Sequence, residues 1–118
     1  MPAIDKLGIR GNAVEAHQGV MGVTLSLEKK DLPAEGLCPK RVEKWISEVL
    51  WERTAGTCYR CKGLFFHGET TYALQGVGEL FEVDEAKAPK PDYARFLFVG
   101  LRLSQDELEK GLRACLQP

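Results

Sequence analysis

The sequence has little charge imbalance and no long apolar run. Its 118 residues carry 16 basic and 17 acidic side chains, so the formal net charge is −1. Such a balance gives no electrostatic reason to bind nucleic acid or an anionic membrane. No apolar run reaches the roughly 20 residues that span a bilayer, and the first residues lack the apolar segment of a signal peptide. We therefore expect a cytoplasmic protein without nucleic-acid or membrane partners.

The short motifs that carry catalysis are also missing. There is no GxxxxGK[ST] phosphate loop, no GxGxxG turn, no GxSxG elbow and no HExxH pair. Because the sequence has only two histidines, His17 and His67, a histidine-based catalytic set has little to draw on. The sequence therefore predicts that this chain is not an enzyme and binds no cofactor of its own.

What is present suffices for one hydrophobic core. Apolar residues make up 44% of the chain, and 118 residues is the size of a single domain. Residues 1–18 show no clean hydrophobic period and are predicted to be a tail or linker. The folded domain is accordingly expected over residues 19–118.

Hydrophobic periods predict the order of elements in that domain. Residues 20–28 alternate as a strand covered on one face, and strands are also predicted over 57–66, over 70–83 in one piece or two, and over 95–103. The first helix is predicted from Pro39 to about Glu52, and Ser104 begins the second with capping-box spacing to Glu107. The apolar stripe of the first helix consists of Val42, Trp45, Ile46, Val49 and Leu50.

These elements predict an α+β fold. The order is β-α-β-β-β-α, and each helix has one apolar stripe. Such elements form a two-layer sandwich in which both helices cover one face of a four- to five-stranded, mainly antiparallel sheet.

One cysteine pair invites metal chemistry. Cys58 and Cys61 have the CxxC spacing with which two thiolates hold one soft ion, and His67 offers a third zinc ligand. Against this, a spacing of three within a strand places the two side chains on opposite faces. Cys61 would then be a small buried hydrophobe and Cys58 a residue at the start of the strand.

Two basic residues lie on the strand face opposite Cys61. Arg60 and Lys62 are two residues apart, so their side chains share that face. They form either a basic patch for an anion or an acidic partner, or a solvated face whose aliphatic stems cover the sheet. Residue type alone favours the solvated face.

Several segments resemble the C-terminal domain of the CobW family. Residues 60–65 (RCKGLF) resemble its R-x-K-G-hydrophobic strand, and residues 75–83 resemble the V-G-containing strand that follows. Residues 96–108 resemble its closing segment, residues 39–46 its helix opening, and residues 17–19 its H-x-x-G lead-in. Residues 50–52 and 75–83 are also similar to the zinc-regulated GTPase metalloprotein activators of this family.

The resemblance implies an accessory role. CobW proteins carry a GTPase half with a phosphate loop and a CxCC metal-binding motif, neither of which occurs in these 118 residues. The implied function is that of an accessory or regulatory domain of a GTP-dependent metallochaperone for zinc or cobalt. GTP, magnesium and the delivered metal are then expected for the parent protein.

The resemblance also implies protein partners. These are the N-terminal GTPase domain of the parent and a client metalloprotein. The residues expected to meet them are Arg60, Lys62, Asp84, Lys87, Lys90 and Tyr93. The alternative is a stand-alone protein-interaction or small-ligand-binding α+β module that is unrelated to metal delivery.

Overall fold

The computed structural model describes residues 3–4 and 8–116, without the side chains at 3–4 and 16–17. In this part of the chain the elements are β1 (Ala3–Ile4), β2 (Arg10–His17), β3 (Val20–Glu28), α1 (Pro39–Trp51), β4 (Thr57–His67), β5 (Thr70–Val77), β6 (Leu80–Glu85), β7 (Tyr93–Leu101) and α2 (Gln105–Cys115), with a short 3-10 turn at Lys29–Asp31.

The described strands form one antiparallel sheet in the order β1-β2-β3-β7-β4-β5-β6. The predicted strand over 20–28 is confirmed, and β7 lies centrally between β3 and β4. The α+β sandwich is therefore confirmed, although the sheet has more strands than the four or five predicted. The additional strands are β1 and β2, which precede the predicted domain. Residues 70–83 hold two strands, the second of which continues to Glu85, and the chain turns between them at Gly78 with a φ of 61°.

Strand β2 lies where the sequence predicts a tail. It pairs with β3 along its whole length, and Ile9 just before it is fully buried. The alternation of apolar and polar residues that predicts a strand is weak here. Gly11 faces the helices but has no side chain, and Val14 is apolar but faces outward. A Cβ on Gly11 would meet the Gln105 side chain of α2, so glycine is required where the helix crosses the strand.

Both helices pack on the same sheet face, as the sequence predicts. The Trp45 ring of α1 meets the Phe96 and Phe98 rings of β7 edge-on, with centroid distances of 5.0 and 5.6 Å. Helix α2 lies beside α1, with Gly111 against the Trp45 indole. At the start of α2, the Ser104 hydroxyl accepts a hydrogen bond of 3.2 Å from the backbone N–H of Glu107. No helix in the described residues is long and apolar enough to cross a membrane.

Candidate interaction face and cysteine pair

The sheet face opposite the helices carries its side chains in cross-strand rows. One of them, which we call the apolar row, consists of Val14, Gly22, Val99, Arg60, Val77 and Leu80, each in register with the next. Since neighbouring strands lie about 4.8 Å apart, the row extends over about 24 Å. Its outer members Val14, Val77 and Leu80 are 58%, 64% and 81% exposed. The exposed apolar side chains therefore stand at the two ends of the row, and Gly22, Val99 and the guanidinium group of Arg60 lie between them.

The next row adds a second cation. It consists of Asn12, Thr24, Leu97, Lys62, Gln75 and Glu82. Leu97 is 38% exposed, and Lys62 stands directly beside it. A shallow depression of about 210 Å³ lies between the two rows and is lined by Arg60, Cys61, Lys62, Leu97 and Val99.

A third cation, Arg95, extends this surface. Its guanidinium carbon lies 4.4 Å from the centre of the Tyr93 ring, a cation–π distance. Both residues line a second depression of about 290 Å³, next to Lys62 and Leu97. None of the ion pairs in the described residues involves Arg60, Lys62 or Arg95. The three cations therefore border Leu97 and Val99 on one side and at one end, and we call this surface the basic-apolar face.

The structure brings together some of the residues expected to meet a partner. Arg60, Lys62 and Tyr93 lie on the basic-apolar face, and Asp84 projects from the same side of the sheet at its β6 edge. Lys87 is exposed in the loop between β6 and β7.

Lys90 has a different setting from the other predicted interaction residues. Its Nζ lies 4.7 Å from the centre of the Phe66 ring and 3.4 Å from Oε1 of Glu69. Phe66 is only 2% exposed, so Lys90 helps to cover an apolar side chain at the end of the sheet.

The prediction that Cys58 and Cys61 face opposite ways is wrong. Cys58 pairs with Gly100 and Cys61 pairs with Phe98, so three steps along β4 match two steps along β7. The extra residue is a β-bulge at Tyr59, and it returns Cys58 to the helix side of the sheet. Both thiols are buried there, with 8% and 2% of the residue exposed.

The two thiols interact with each other. A hydrogen bond from the Cys61 thiol lowers the pKa of Cys58, while the same bond and burial raise the pKa of Cys61. The neutral Cys58 thiol donates to the carbonyl oxygen of Arg60 at 3.2 Å, and backbone N–H groups of Arg60 and Val99 favour its ionised form. Gly76 makes room for this pair, since a Cβ there would lie 2.5 Å from Sγ of Cys61.

The third residue of the predicted zinc set lies elsewhere. His67 follows Cys61 by six residues along β4, a distance of about 20 Å in an extended strand. It lines a cavity of about 470 Å³ together with Cys38, Arg41 and Cys115. In the described part of the chain, no group of three or more His, Cys, Asp or Glu residues is placed to hold a metal ion. The structure therefore does not assemble Cys58, Cys61 and His67 into one site.

The sequence indicated Arg60, Lys62 and Tyr93 on the basic-apolar face but not its apolar members. The alternation in β7 places Leu97 and Val99 on the same side, and that signal was readable. Val14 and Val77 become part of the row only through strand pairing, which connects segments far apart in the sequence.

Comparisons with known proteins agree with this fold. Residues 33–116 match the family described as the cobalamin synthesis protein cobW C-terminal domain. No curated protein matches the chain.

Two similar solved structures are zinc-bound forms of the YjiA GTPase. One is a triple mutant, with a TM-score of 0.68 and 16% sequence identity. The other is the protein from E. coli, with a TM-score of 0.66 and 17% identity. In each case the match covers 85% of this chain but only 30% of the other. Since the family match extends over more than half of its residues, the chain belongs to the CobW C-terminal domain family.

Proposed function

We propose that this chain is the accessory domain of a CobW-type, GTP-dependent metallochaperone for zinc or cobalt. In this proposal the domain works by protein contact, with the basic-apolar face docked on the GTPase domain of the parent protein. The observation that carries the proposal is the exposed apolar row bordered by Arg60, Lys62 and Arg95.

The chemistry of this face suits a protein partner. Several exposed apolar side chains on one face of a small domain favour an interaction surface, because their burial against a partner removes apolar area from water. Arginine is enriched at such interfaces, where its planar group both stacks and forms paired hydrogen bonds. The complementary surface would therefore be apolar at its centre and acidic around it.

The catalytic chemistry is assigned to the partner. Each YjiA chain extends well beyond the matched 30%, and both structures are of a Zn(II)-bound GTPase. By analogy, GTP, magnesium and the delivered zinc or cobalt would be bound by the GTPase domain of the parent protein. A client metalloprotein is the second partner of this proposal.

The direct test is binding between this domain and the GTPase portion of a CobW-family protein from the same organism. Isothermal titration calorimetry would measure the affinity for wild type, Leu97→Asp and Arg60→Glu. Both changes place an unfavourable charge on the face, and we expect affinity to fall at least about tenfold, or about 1.4 kcal/mol. Raising the salt concentration should also weaken the wild-type complex, because surface charges are screened.

The matched control is Lys110→Glu, an exposed charge reversal on α2. It should leave the affinity unchanged while circular dichroism shows that all variants remain folded. A complex weakened by Lys110→Glu and not by Leu97→Asp would place the interface on the helices and contradict the docking proposal. Absence of binding to the GTPase portion would instead favour the stand-alone interaction or ligand-binding module.

A further inference from the structure

The cysteine pair on the β-bulge has a geometry that the docking role does not require. Cys58 and Cys61 are opposite Gly100 and Phe98, two residues apart on β7. Since two steps of a strand extend about 6.8 Å, the two Cα atoms of the pair are separated by roughly this distance. Both side chains nevertheless lie on the helix side of the sheet, where the two thiols share a hydrogen bond.

We propose that Cys58 and Cys61 form a two-thiolate binding site for a soft monovalent metal ion, with Cu(I) as the ion that fits its chemistry. This site would belong to the domain itself and is independent of whether the basic-apolar face docks on a GTPase.

The spacing favours an ion between the sulfur atoms over a direct bond. Unstrained disulfides hold their Cα atoms about 4.4–6.8 Å apart, most often near 5.5–6 Å. The pair lies at the long end of that range, so a disulfide would stand at the limit of unstrained geometry. An ion between the sulfur atoms, with two bonds close to the roughly 2.3 Å of a zinc thiolate, spans a longer sulfur-to-sulfur distance than a direct bond.

The ligand set favours a soft ion of low coordination number. Structural zinc takes four ligands, whereas no third His, Cys, Asp or Glu joins this pair in the described residues. Thiolates select soft ions such as Cu(I), while calcium and magnesium take oxygen ligands. Two sulfurs can complete the coordination of Cu(I), which forms linear two-coordinate complexes.

The surroundings can accept the resulting charge. Binding of one Cu(I) displaces the two thiol protons and leaves a bis-thiolate complex of charge −1. Backbone N–H groups of Arg60 and Val99 point to the Cys58 sulfur and would stabilise that charge. Cys58 retains 8% exposure against 2% for Cys61, so the ion would enter at the Cys58 end.

The test is an anaerobic titration of the reduced domain with Cu(I) in competition with the chelator bicinchoninate. We expect wild type to withdraw one equivalent from the chelator. Cys58→Ser and Cys61→Ser should each weaken binding more than tenfold. Cys115→Ser is the matched control, since it removes another buried thiol and should keep both stoichiometry and affinity.

A second measurement uses the wild type alone, so its result does not depend on whether the variants fold. Alkylation by N-ethylmaleimide in mild denaturant, read by mass spectrometry, should show Cu(I) protecting Cys58 and Cys61 but not Cys38. Protection of Cys38 and Cys115 instead, or unchanged binding in Cys58→Ser and Cys61→Ser, would overturn the proposal. It would equally be overturned if the domain failed to compete for Cu(I) and only formed a Cys58–Cys61 disulfide with diamide.

Discussion

The indole nitrogen of Trp45 lies where a Cβ on Gly111 would stand, at the place where α2 packs on α1. Trp45 is 4% exposed, and its N–H makes no hydrogen bond to the described residues. The other side of its ring packs edge-on against Phe96 and Phe98. The absence of a side chain at position 111 therefore sets how closely the second helix approaches the core.

Gly111→Ala should destabilise the domain. In an open helix this change would stabilise by about 1 kcal/mol. Here the added Cβ would collide with the indole of Trp45, and moving that ring disturbs its packing on β7. We expect a net loss of about 1–3 kcal/mol in the free energy of unfolding, measured by urea denaturation. Lys110→Ala, at the exposed neighbouring position, should stay within about 0.5 kcal/mol of wild type. A more stable Gly111→Ala protein would contradict this account of the helix crossing.

Gly76→Ala should be destabilising and should be partly rescued by removing one sulfur. The added methyl would lie 2.5 Å from Sγ of Cys61, in a buried position of the sheet. We expect the single change to cost about 1–3 kcal/mol. In the double variant with Cys61→Ala, the methyl group occupies the vacated space, so the two effects should differ from additivity by at least about 0.5 kcal/mol. A double-mutant cycle in urea measures this coupling, and strict additivity would show that the two positions do not compete for space.

Trp51→Phe should cost the domain one hydrogen bond. Trp51 is 60% exposed, yet its indole N–H donates to the carbonyl oxygen of Glu79 at 2.8 Å and joins the end of α1 to the β5–β6 turn. Its ring also meets Phe81 at 5.7 Å, a contact that phenylalanine can retain in part. We expect a loss of about 0.5–1.5 kcal/mol in the free energy of unfolding. Tyr59→Phe, on an exposed residue of β4, serves as the control and should change stability by less than about 0.5 kcal/mol.

The domain should lose stability in alkali partly through Cys115. Burial raises the pKa of this thiol from 9.0 to about 12. Between these values the unfolded chain releases the proton while the folded protein retains it, so unfolding becomes more favourable as pH rises. The contribution is fully present below pH 9 and falls by up to about 1.4 kcal/mol per pH unit above it.

Cys115→Ala removes this contribution. Urea denaturation at pH 7.5, 9 and 10 gives the free energy of unfolding of each protein. We expect the difference between wild type and variant to become smaller as pH rises, because only the wild type carries the Cys115 thiol. The comparison isolates one group, since tyrosines and lysines titrate equally in both proteins. A constant difference across this range would indicate that the folded protein does not protect the Cys115 thiol.

The bulge at Tyr59 shows why the cysteine pair was misjudged from the sequence. A regular strand places Cys58 and Cys61 on opposite faces, and nothing in the local pattern TCYRC signals the extra residue. The bulge is visible only in the pairing with β7, where Cys58 meets Gly100 and Arg60 meets Val99. A Cβ at Gly100 would collide with the backbone of Thr57, so glycine permits the close approach of the strands there.

The sequence by itself determined β3, α1, β7 and α2, the placing of both helices on one sheet face, and kinship with the CobW C-terminal domain. These follow from hydrophobic periods and short motifs, which express the geometry of a single segment. Only the tertiary structure decided that residues 10–17 join the sheet, that Cys58 and Cys61 meet, and that Val14, Val99 and Val77 stand in one row with Arg60. Register and bulges depend on hydrogen bonds between strands distant along the chain, and local periodicity carries no record of that pairing.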